Sequence, residues 1–91
     1  MENMEKLKLM DKILRELEDT INSETALVKK IAQLEAENIN LGDRNLEKKL
    51  PEIFEQIDSA LASTTELQND YIAIRDKFSR DNKLEEIPGA S

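Results

Sequence analysis

The chain of 91 residues has no cysteine, no histidine and no tryptophan, and only two glycines and two prolines. Without cysteine there is no disulfide framework and no thiolate metal site. Without histidine the commonest proton shuttle and transition-metal ligand is missing, and with it the Glu-x-x-His ligand pair of di-iron bundles. Aromatic residues make up 3% of the chain, so any core must be aliphatic. Scarce glycine and proline leave few turn signals, which argues against a sheet of many short strands and for long helices. Long apolar runs are also missing. The start, Met1 to Met10, is interrupted by Glu2, Glu5, Lys6 and Lys8, unlike the apolar stretch of a signal peptide, and no later segment reaches the length of a membrane span. The expectation is a soluble intracellular protein, cytoplasmic or nuclear, with secretion independent of a signal peptide left open.

Charge is plentiful. Twenty acidic residues stand against thirteen basic ones, for a net charge of −7. Phosphate backbones and anionic membranes repel such a chain on average, so neither nucleic acid nor membrane is expected as a partner. Most of these charges fit the solvated outer faces of helices.

The most regular stretch runs from Leu46 to Phe78. Apolar or small residues fall at Leu46, Leu50, Ile53, Ile57, Ala60, Thr64, Leu67, Tyr71, Ile74 and Phe78, in alternating steps of four and three. That spacing is a heptad seam, with Leu50, Ile57, Thr64, Tyr71 and Phe78 at a and the others at d. An earlier stripe passes through Leu7, Met10, Leu14, Leu17, Ile21, Val28 and Ile31, with Leu7 at a and Glu24 breaking a d position. Asn22 to Thr25 is poor in helix formers, yet the phase resumes unchanged at Val28, which favours a continuous helix with one polar layer. Acid-first pairs such as Glu2 with Lys6 and Asp11 with Arg15 suit an outer helix face.

These patterns predict an all-α fold, an antiparallel two-helix coiled-coil hairpin over residues 1–78. Helix 1 is expected over about 4–37, a turn over 38–45 around Gly42, and helix 2 over about 46–79. Pro51 cannot donate a helical hydrogen bond, so a break or a fresh start is expected near it. Residues 79–91, without periodicity, are expected to form a mobile tail.

Folding at Gly42 pairs positions that add to 84 or 85, so that Leu7 meets Phe78, Leu14 meets Tyr71 and Val28 meets Ile57. The same register sets Glu24 against Ala60, with Thr25 and Thr64 close by, forming a polar waist at which a glutamate must reach water or hydroxyls. Further apolar residues lie off this seam: Phe54, Leu61 and Ile72 on helix 2, and Ile13, Leu27 and Leu34 on helix 1. They are the candidates for protein contact. In an antiparallel pair g flanks g and e flanks e, so stripes at g on helix 1 and at e on helix 2 should lie on opposite sides. A hairpin has little interior, and a second hairpin or a foreign helix would complete a four-helix bundle.

Catalytic signals are weak. Carboxylates gather at Glu16, Glu18 and Asp19 and at Glu52, Glu55 and Asp58, but acid–base work or cation binding needs a concave, buried site. Ser59, Ser63, Thr64 and Thr65 have no histidine base, and no lysine lies between Lys49 and Lys77. Neither enzymatic activity, a cofactor nor a bound metal is expected. In length and hairpin plan the chain resembles the WXG100 proteins of type VII secretion, which implies a secreted helical hairpin. It departs from them by Asn40-Leu41-Gly42 in place of Trp-x-Gly and by Arg75, not a carboxylate, four residues after Tyr71. It also resembles small coiled-coil subunits of kinetochore or vesicle-tethering complexes. The function expected is a non-enzymatic coiled-coil interaction or scaffold protein, a homodimer or a subunit of a hetero-oligomer. The alternative is a small acidic chaperone or inhibitor that shields one protein target.

Overall fold

A computed structural model describes residues 1–84 of the chain. Two long helices, α1 (Asn3–Leu41) and α2 (Arg44–Asp81), fold back on each other as a hairpin, within an envelope of 62 × 20 × 20 Å. No helix of the described residues is long and apolar enough to cross a membrane.

The turn is shorter than the sequence suggested. Residues 38–45 were expected to leave the helices, yet α1 continues to Leu41 and α2 begins at Arg44. Asn38 accounts for the difference. Its buried side chain donates from Nδ2 to the Asp43 carbonyl at 3.0 Å and accepts the Asp43 amide at Oδ1 at 2.9 Å. A residue within α1 thereby supplies the hydrogen bonds that a longer loop would otherwise need. Gly42 takes the left-handed conformation at φ 72 and donates its amide to the Asn38 carbonyl. Asp43 caps α2 by accepting the Leu46 amide at 2.9 Å.

Nor does Pro51 break α2, which begins seven residues before it and runs through it. The carbonyl of Glu47, which loses its helical donor, belongs to an exposed residue beside an open groove, where water can replace that donor. At its far end α2 passes the expected end near residue 79 and continues to Asp81. There Leu84 donates its amide to the Ser79 carbonyl and Lys83 to that of Arg80, with Lys83 at φ 57. This pair of bonds is a Schellman closure. The tail expected over 79–91 therefore opens with an ordered helix end, and its residues 85–91 lie outside the described residues.

On α1 the seam follows the expected phase: Leu7, Met10, Leu14, Leu17, Ile21, Val28 and Ile31 are buried or half-buried. On α2 it does not. The inward positions are Leu50, Phe54, Ile57, Leu61, Thr64, Gln68, Tyr71, Arg75 and Phe78, while Leu46, Ile53, Ala60, Leu67 and Ile74 are exposed. The heptad of α2 is therefore lettered with Leu50 and Ile57 at d, Phe54 and Leu61 at a, and the expected d row at g. Turning the helix this way half-buries Phe54 and brings Arg75 to Asp11 and Asn82 to Asn3. These two cross-helix contacts join positions that add to 85 and 86, within one residue of the expected register.

The Asn38 clasp should be measurable in urea unfolding at fixed protein concentration. Asn38→Ala removes both part-buried bonds to the Asp43 backbone and should cost about 1–2 kcal/mol. Gly42→Ala should cost about 1–2 kcal/mol for the left-handed backbone alone, since a Cβ there meets nothing within 4 Å. An unchanged midpoint for Asn38→Ala would show that the clasp does not hold the turn.

Candidate interaction surface

The rotation of α2 redistributes the residues singled out for protein contact. Phe54 and Leu61 are half-buried on the side of α2 that faces α1, so they belong to the seam and keep only part of their surface exposed. Ile72 stays exposed, as do Ile13, Leu27 and Leu34. The row that replaces Phe54 and Leu61 on the outside is Leu46, Ile53, Ala60, Leu67 and Ile74.

This exchange brings the two apolar rows together. In an antiparallel pair g flanks g, and the outward rows of both helices now occupy g. At the observed register Ile13 lies roughly level with Ile74, Thr20 with Leu67, Leu27 with Ala60, Leu34 with Ile53 and Leu41 with Leu46. The expectation of apolar stripes on opposite sides is corrected: one apolar flank, with Thr20 its one polar member, runs from Ile13 and Ile74 to the turn end, and Lys6 and Asp81 hold the same rows at the free end. Its large residues are between 37% and 72% exposed. Beside it lies a polar rim that includes Glu16, Ser23 and Lys30 on α1 and Lys49, Gln56, Ser63 and Asp70 on α2, all exposed. The opposite flank carries Asp11, Glu18, Thr25 and Ala32 against Pro51, Asp58, Thr65 and Ile72. Its large apolar residues, Ile39 and Ile72, lie at opposite ends of the hairpin.

Two polar features sit in or beside the seam. Asp11 does not pair along its own helix with Arg15. It receives two bonds from Arg75, at 2.7 Å from Nε and 3.3 Å from an Nη, and Arg75 also reaches Asp76 at 3.2 Å. The Asp11 hydrogen bond raises the Arg75 pKa above its ordinary value while partial burial opposes it. Arginine deprotonation therefore removes nothing from this pair at any pH below that ordinary value. The second feature is Glu24. Ala60, its expected neighbour, is exposed, and the register sets Leu61 at this level instead. Thr25 and Thr64 donate to their own helices, at the Ile21 and Ala60 carbonyls. Neither hydroxyl donates to the glutamate, and its buried Oε1 has no hydrogen-bond partner among the described residues.

The carboxylate clusters lie on open surface. Glu16, Glu18 and Asp19 surround one shallow depression, and Glu52, Glu55 and Ser59 another, all of them exposed. Among the described residues no group of three or more acidic side chains is placed to hold a metal ion. The best-formed concavity, about 550 Å³, lies at the turn end over Ala32, Glu35, Ile39, Leu50 and Pro51. It holds carboxylates but no cation or nucleophile. No protein-family model matches the chain, and no curated protein or solved structure matches it significantly.

Two substitutions probe the seam. Glu24→Leu replaces an unpartnered carboxylate with an aliphatic side chain beside Leu61 and should raise stability by about 1–3 kcal/mol, read as a higher urea midpoint. No gain would mean that the glutamate reaches solvent. Asp11→Ala removes the cross-helix pair and should cost about 0.5–1.5 kcal/mol, a range kept low because both side chains are partly exposed. The difference from wild type should shrink in about 1 M salt, where the screening length is near 3 Å.

Proposed function

We propose that the chain is a non-enzymatic interaction module, a helical hairpin that enters a homo- or hetero-oligomeric assembly by having its apolar flank covered by further helices. The observation that carries this is the flank formed by Ile13, Leu27 and Leu34 beside Ile53, Leu67 and Ile74. Strict two-row patterning suits a two-stranded coiled coil, whereas helices of a four-helix bundle carry a third apolar row at e or g. Both helices here carry it, on the same side. The rotation of α2 points the same way. Gln68 and Arg75 are turned inward while Ile53, Leu67 and Ile74 are left outside, so three large aliphatic side chains stay in solvent where a further helix would cover them. The missing histidine and cysteine and the open carboxylates support a role in contact over one in chemistry.

The test is affinity capture from the source cells with three baits: wild type, Leu34→Glu on the apolar flank and Ile72→Glu on the polar one. Partners, or further copies of the chain, should be retained by wild type and by Ile72→Glu and lost with Leu34→Glu. Equal retention by all three, with helix content unchanged, would overturn the assignment of the flank.

A further inference from the structure

We infer that the apolar flank is the two-fold interface of a homodimer in which a second copy lies face to face with the first, the turns at opposite ends. The inference rests on the proposed interaction role and names its partner. Size is the first support: the rows from Ile13 to Leu41 and from Leu46 to Ile74 run about 42 Å at 1.5 Å per residue, and over the 20 Å width of the hairpin they span about 840 Å², close to the roughly 800 Å² per partner of a standard interface. Shape is the second. A dyad at the level of Ser23 and Ser63, the middle of the hairpin, overlays the whole length of both copies. It sets Ile13 opposite Leu34 of the second copy and Ile53 opposite Ile74 of the second copy. The two small members of the rows fall against large ones, Thr20 against Leu27 and Ala60 against Leu67. Small facing large is how bundle layers interdigitate.

Charge selects the orientation. Residues 31–56 at the turn end carry six carboxylates and three cations, whereas 1–15 and 71–84 at the free end carry eight cations and five carboxylates. The hairpin thus runs from a net −3 at the turn to +3 over the described free end, or +1 with Glu85 and Glu86 counted, and the sign difference between the ends stands in either count. Opposed copies set unlike ends together, and parallel copies would set like ends within a screening length of each other. Along the rim, the opposed arrangement also brings Glu16 beside Lys30 of the second copy. Lys49 then approaches Lys77 of the second copy, but each of these has a carboxylate on its own helix, Glu52 and Asp81. The acidic middle of the hairpin meets itself in either orientation and does not discriminate.

Because the chain has no cysteine, single cysteines report the geometry cleanly. Light scattering during size exclusion at tens of micromolar should give twice the 10.4 kDa chain mass for wild type and for Ile72→Glu. Leu67→Glu should give the monomer mass with most of its helix retained. Ser23→Cys alone and Ser63→Cys alone should each form a covalent dimer with a short bis-maleimide at low concentration, and Asn69→Cys on the far side should not. Cross-linking only in a mixture of Ser23→Cys and Ser63→Cys would mean parallel copies and overturn the proposed orientation. A monomeric wild type would overturn the second copy as occupant. If that monomer still lost its captured partners through Leu34→Glu, the interaction role would stand with a different chain on the flank.

Discussion

Two helices touch along one line, so the rotation of each about its own axis decides which side chains are inside and which are offered to solvent. In this hairpin the rotation of α2 is the governing variable. A turn of one position would bury Ile53, Leu67 and Ile74 and expose Phe54, Leu61 and Arg75. The observed rotation does the reverse. It gives the seam its phenylalanine, places a guanidinium against Asp11, and leaves both outer apolar rows on the same flank.

Polar contacts do much to select that rotation, although each contributes little free energy. Partly exposed ion pairs and side-chain hydrogen bonds are worth about 0–1.5 kcal/mol, less than one buried aliphatic side chain. Their value lies in placement. Asn3 to Asn82 pins the free end, Asp11 to Arg75 pins the first two turns of the seam, and the Asn38 clasp pins the turn. Sliding or rotating α2 would break all three at once, whereas aliphatic contacts would tolerate several alignments. The exposed pairs Lys12 with Glu16 and Lys77 with Asp81 impose no such restriction, since each lies within one helix.

The hairpin, the phase of α1 and the register to within a residue were legible in the sequence because they rest on spacing, and spacing is local. The rotation of α2 was not. Its sequence carries two overlapping apolar rows that share Leu50, Ile57, Tyr71 and Phe78. The row through Ile53, Leu67 and Ile74 looks richer until Arg75 is seen to have a partner 64 residues earlier. Counting apolar residues therefore selected the outer row. The same choice produced the false pairing of Glu24 with Ala60 and the separation of the apolar stripes onto opposite sides. Asn38 was missed for a related reason: an asparagine near a helix end reads as a turn former, and only its distance to Asp43 shows it holding the turn from within the helix. The exposure of Ile13, Leu27 and Leu34 was legible because α1 keeps its expected phase.

How thinly the hairpin is buried also bears on its role. Leu7 and Leu50 are the apolar residues that count as buried among those described, and every other apolar layer of the seam keeps an open side. Most layers of a two-helix seam stay open on one side, because each residue meets only one other helix. Adding helices over the g rows would close the d side of each layer, where Met10, Leu17 and Ile31 border the flank, and leave the e side to water. The e side is the one built for water, with Asp11, Glu18 and Asp58 along it. The asymmetry of the two flanks thus matches the asymmetry of the seam, which is the arrangement that the proposed interaction role requires.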